Sequence, residues 1–69
     1  MSRQDAASDL GEVYFEYHYV GTTVRVAAVH GATGTEAVVM GPAHAATADL
    51  ERLVLGKLRA RLAREAANR

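Results

Sequence analysis

Eight acidic residues, eight basic residues and three histidines carry the chemical potential of this 69-residue chain, which has no cysteine. To hold a metal ion, His18, His30 and His44 would have to converge within a few ångströms of it. They are far apart in sequence, no His-x-x-x-His or carboxylate-flanked pair joins them, and no metal site is expected. Glu16, His18 and Arg25 form the one polar group with geometric support, because strand pairing would set His18 opposite Arg25 with Glu16 diagonal to it. As an acid–base pair this group lacks a nucleophile, an oxyanion donor and a pocket, so a cross-strand ion pair is the expected role. The two serines, Ser2 and Ser8, both lie in the N-terminal segment. Gly31-Ala32-Thr33-Gly34-Thr35-Glu36 has the glycines of a phosphate loop, but such loops join a strand to a helix and continue to a lysine. A hairpin turn accounts for the segment instead. No catalytic residue and no cofactor is expected.

Charge is unevenly distributed although the formal net charge is zero. Residues 1–49 hold two arginines against six acids, a balance of −4, and residues 50–69 hold six basic residues against two acids, a balance of +4. Arg52, Lys57, Arg59, Arg61 and Arg64 form a basic C-terminal surface that suits an acidic partner, a nucleic acid or the acidic half of another copy. They spread around the helix as a fringe, which makes nucleic-acid binding the second reading.

The elements that must position these groups follow from periodicity. Residues 1–10 are small or polar without period and are expected to be a disordered tail. From Glu12, aromatic and branched residues alternate with others through Val20, the signature of a strand. Gly21-Thr22 supplies a turn, Thr23 to His30 a second strand, residues 31–34 a four-residue loop, and Thr35 to Met40 a third strand ended by Gly41-Pro42. With these turns Tyr19 lies opposite Val24, Tyr17 opposite Val26, Phe15 opposite Ala28, Val26 opposite Val39 and Ala28 opposite Ala37. One face then carries Val13, Phe15, Tyr17, Tyr19, Val24, Val26, Ala28, Ala37 and Val39, a coherent core face. Leu50, Leu53, Val54, Leu58 and Leu62 have the spacing of one helical face, with Thr47 or Asp49 as the cap and an end near Ala66. Gly56 within it costs about 1 kcal/mol relative to alanine and is tolerated. The fold class is α+β: a three-stranded antiparallel meander followed by one C-terminal helix on one face, forming a single domain over residues 11–67.

The opposite face is half apolar, with Tyr14, Val20, Ala27, Val29, Val38 and Met40 among Glu16, His18, Arg25 and Glu36. An antiparallel sheet with a solvated face normally alternates more cleanly, and one helix cannot cover both faces. A domain of this size buries about 60% of its unfolded surface. Without cysteine or metal to supplement a small core, self-association is the expected supplement, most simply as a symmetric dimer through this face or a terminal strand edge. No segment reaches the roughly 18 apolar residues of a membrane span, and the cytoplasm is the expected compartment. Abundant alanine, the absence of isoleucine and seven arginines to one lysine fit a GC-rich bacterial genome.

Glu12-Val13-Tyr14-Phe15-Glu16-Tyr17, Val20-Gly21, Val24-Arg25-Val26-Ala27-Ala28-Val29, Thr33-Gly34-Thr35-Glu36 and Gly41-Pro42-Ala43 resemble a family of small uncharacterised alphaproteobacterial proteins, a domain of unknown function. The likeness covers roughly residues 11–62. Members of that family have Ala-Val-Asp where this chain has Ala28-Val29-His30, so no acid role carries over to position 30. The resemblance implies a bacterial, cytoplasmic, stand-alone domain and no activity. A non-enzymatic interaction domain is the leading expectation.

Overall fold

Alternation along the chain is converted into a sheet by two tight turns whose geometry fixes which residues face each other. The computed structural model describes residues 2–7 and 10–68. Strand β2 spans Gly11–Val20, β3 spans Thr23–His30, β4 spans Glu36–Pro42, and helix α1 spans Thr47–Ala67. Gly21 takes φ +59 at the first of two turn positions while Thr22 keeps a negative φ, the sign pattern of a type II′ hairpin turn. That turn pairs Val20 with Thr23 and therefore Tyr17 with Val26 and Phe15 with Ala28. Residues 31–34 close the next hairpin, with His30 and Thr35 joined by a backbone bond of 2.8 Å and Gly34 at φ +75. Val26 then pairs with Val39 and Ala28 with Ala37. The expected antiparallel meander followed by a C-terminal helix is present as β2-β3-β4-α1.

One further strand extends it. β1, Ser2–Ala7, pairs antiparallel with the outer edge of β2, and the sheet order is β1-β2-β3-β4. Residues 1–10 were expected to be a tail because they lack a two-residue apolar period. A strand held by its backbone ladder needs no such period. Met1, Ser8 and Asp9 of that expected tail, and Arg69 at the other end, lie outside the described residues.

The helix-side core consists of Val13, Phe15, Val24, Val26, Ala28, Ala37, Leu50, Val54 and Leu58. Tyr19, expected there, is 57% exposed at the turn end of β2. The helix buries Leu50, Glu51, Val54 and Leu58, and Leu53 is 62% exposed. This corrects the apolar face read from spacing. The buried stripe runs through the 50-54-58 positions with Glu51 and half-buried Leu55 on the same side, which turns position 53 outward. Glu51 is drawn in because its carboxylate accepts a hydrogen bond from the Tyr17 hydroxyl of β2.

Two local expectations also change. The residue before the helix is Ala46, which makes no side-chain cap, so neither Thr47 nor Asp49 serves as one. The Ala46 carbonyl instead accepts from the amides of Asp49 and Leu50. Gly41 and Pro42 belong to β4, pairing with Val24 and Thr23, because proline at the end of an edge strand gives up no ladder bond. Gly41 has a packing role: a Cβ built on it would lie 2.8 Å from Leu50 Cδ2.

Candidate functional site

Two surfaces of this small fold carry side chains that the core does not absorb. The first is the sheet face away from the helix. Pairing sets Tyr14 beside Val29 and Glu36, Glu16 beside Ala27 and Val38, and His18 beside Arg25 and Met40, with Val20 beyond. Val20 and Met40 are 63% and 65% exposed, Tyr14 is exposed, and Val29 and Val38 are half-buried. Ala27 is fully buried and is corrected from the exposed set. Its single methyl sits low in the central strand, flanked by the longer side chains of Glu16 and Val38. His18, Val20, Thr23, Arg25 and Met40 line a shallow hollow of about 350 Å³ at one end of the face. Glu12, Glu16 and Glu36 lie toward the other end, so the face is basic at one end and acidic at the other.

Register places His18 opposite Arg25, as expected, but among the described residues no ion pair joins Glu16 to Arg25. All three side chains are exposed and extend into solvent, where such a pair is worth little. His30 closes β3 at the end of the sheet and is drawn in from solvent. It is 9% exposed; its Nε2 donates to the Leu10 carbonyl at 2.9 Å and its Nδ1 meets the Thr33 hydroxyl at 2.8 Å. Thr33 donates onward to Thr35 at 2.9 Å and Thr35 donates to Glu65 at 2.8 Å. This relay ties the start of β2, the β3–β4 loop and the last turns of α1 together. His44 is exposed in the connector. Among the described residues no three His, Cys, Asp or Glu side chains gather as a metal would require.

The second surface is the free edge of β4. Its outward carbonyls at Glu36 and Val38 each receive a cation from the helix. Lys57 Nζ donates to the Val38 carbonyl at 2.6 Å and Arg61 Nη1 donates to the Glu36 carbonyl at 2.9 Å. Spacing explains the match. Four helical residues rise about 6.0 Å and two strand residues about 6.7 Å, so positions four apart on α1 meet positions two apart on an antiparallel β4. Beside these contacts lies a cleft of about 540 Å³ between residues 34–38 and Lys57, Arg61 and Arg64.

The expected basic surface is thereby divided. Arg52 pairs with Asp49 at 3.1 Å, Lys57 and Arg61 hold the strand edge, and Arg61 also lies 3.6 Å from Glu65. Arg59 and Arg64 are exposed. Sequence spacing alone could have flagged the Lys57–Arg61 pair as one helical stripe; which strand edge it would meet depended on the helix lying over β3 and β4.

No helix among the described residues is long and apolar enough to cross a membrane. A family model described as "Domain of unknown function (DUF6898)" matches residues 10–65. The match takes in β2, β3, β4 and most of α1, and the chain belongs to this family. No curated protein and no solved structure matches the chain.

Proposed function

We propose that this member of the DUF6898 family is a non-enzymatic assembly domain that pairs with a second copy of itself through the open sheet face. The observation that carries the reading is the group Tyr14, Val20, Val29, Val38 and Met40, an apolar face left uncovered by the single helix. Apolar surface gathered on one face of a small domain favours burial against a partner. Charge order supports a second copy in particular. A two-fold axis lying in the interface and perpendicular to the strands brings the Glu36 end of each face over the Arg25 end of its mate. Such an interface also supplements a core that is small for an independently stable domain. Pairing of two β4 edges is disfavoured, because it would set one Lys57–Arg61 pair against another.

Cysteine-free composition supports a reducing compartment such as the cytoplasm, the alanine- and arginine-rich usage supports a bacterial source, and the family resemblance implies an alphaproteobacterial one. Sedimentation equilibrium at two loading concentrations tests the assembly: a monomer–dimer equilibrium is expected. Val38→Lys should shift it to monomer with the helical circular-dichroism signal unchanged. A chain that remains monomeric at high micromolar concentration refutes the proposal.

A further inference from the structure

An edge strand offers unpaired backbone donors and acceptors, and proteins with such edges protect them. Here protection comes from two flexible side chains rather than from a covering segment. Both Lys57 and Arg61 are exposed, so each reaches the β4 carbonyls from solvent and can leave them without opening the core. The helical series continues to Leu53, whose place in the spacing corresponds to Met40. Leu53 has no charge to offer, and both it and Met40 are largely exposed. The edge is thus guarded by cations at Glu36 and Val38 and bordered by apolar side chains at Met40.

We infer that this edge is a docking site for an extended acidic peptide, which adds beside β4 as a new strand. A strand in that position bonds the outward amides and carbonyls of Glu36, Val38 and Met40. Its residues on the helix side meet Arg61, then Lys57 and then Leu53, so carboxylates at alternate positions receive the displaced cations. Arg64 adds a third positive charge along the same cleft, which gives the helix-side residues of the peptide room. A neutral peptide would displace the same two cations and offer them nothing in return. Charge therefore selects the occupant, and repulsion between two Lys57–Arg61 pairs excludes a second β4 from the place.

The test uses the full chain, labelled with ¹⁵N and titrated with an end-blocked peptide of four Val-Glu repeats and with its Val-Gln counterpart. Saturable shifts are expected at the amides of Glu36, Val38 and Met40, with the acidic peptide bound about tenfold or more tightly. N-methylation of alternate peptide nitrogens should abolish binding. In Lys57→Gln with Arg61→Gln the preference for the acidic peptide should vanish, whereas Arg52→Gln should retain it. Should the double variant fail to fold, the preference in the unaltered chain must still shrink as salt rises from about 50 mM to about 500 mM. Absence of saturable binding, equal affinity for the two peptides, salt independence, or indifference to N-methylation overturns the inference. Equal shifts at these amides with a single-stranded oligonucleotide overturn the peptide assignment in favour of a nucleic-acid surface.

Discussion

Two glycines should respond to the same substitution with opposite signs. At Gly41 an added methyl would stand 2.8 Å from Leu50 Cδ2 and 3.6 Å from Leu50 Cδ1, whereas at Gly56 nothing lies within 4 Å. Carbon atoms pack at about 3.5–4.0 Å, so Gly41→Ala requires Leu50 to move, and Leu50 is only 6% exposed. Overpacking of this kind costs about 1–3 kcal/mol, while reduced freedom of the unfolded chain returns about 0.4–1 kcal/mol. The net expectation is a loss of about 0.5–2 kcal/mol. Gly56→Ala, inside an exposed helical stretch, should gain about 1 kcal/mol. For a domain of this size each kcal/mol moves Tm by about 4–8 °C. Thermal melts of both variants at one fixed protein concentration should therefore straddle the parent, with Gly56→Ala above it and Gly41→Ala below. A double-mutant cycle isolates the cause: Leu50→Ala should cost less in the Gly41→Ala background than alone. Additivity within about 0.5 kcal/mol, or a Gly41→Ala chain at least as stable as the parent, would refute the packing argument.

Tyr17→Phe should destabilise by about 1–3 kcal/mol, because it removes a hydrogen-bond donor from the buried Glu51 carboxylate; chemical denaturation measures it, and a cost below about 0.5 kcal/mol counts against the contact. Thr35→Val interrupts the relay between the β3–β4 loop and Glu65 and should cost about 0.5–1.5 kcal/mol, with faster amide exchange in the last turns of α1. If Glu65→Ala and Thr35→Val prove additive, the relay does not hold the helix end.

How much of this molecule was legible depended on whether one local rule acted alone. The β2–β3–β4 register was readable because turn length and face alternation independently demanded the same pairing, and Tyr17–Val26 and Ala28–Ala37 fell where both pointed. The helix was legible as an element but not in its rotation. Leu53 looked like core by hydropathy, yet the Tyr17 hydroxyl lay where Glu51 could meet it, and that contact accompanies the turn of position 53 to solvent. β1 left no apolar period because what pairs it to β2 is backbone. On the open face the exposure of Val20 and Met40 followed from alternation, whereas the burial of Ala27 depends on the height of its neighbours. The guarded edge escaped entirely, since its cations were read as a surface fringe, and their partners are main-chain carbonyls that carry no residue-type signature.

The two bonds from α1 to β4 also make chain length within the helix matter unequally. One residue inserted between Lys57 and Arg61 would swing everything beyond it by about 100° and lift Arg61 off Glu36, exposing half the edge at a stroke. Residues added after Glu65 would disturb neither bond. Related chains that keep the edge closed should accordingly vary freely in how far the helix runs on, and hardly at all in the count from position 57 to position 61.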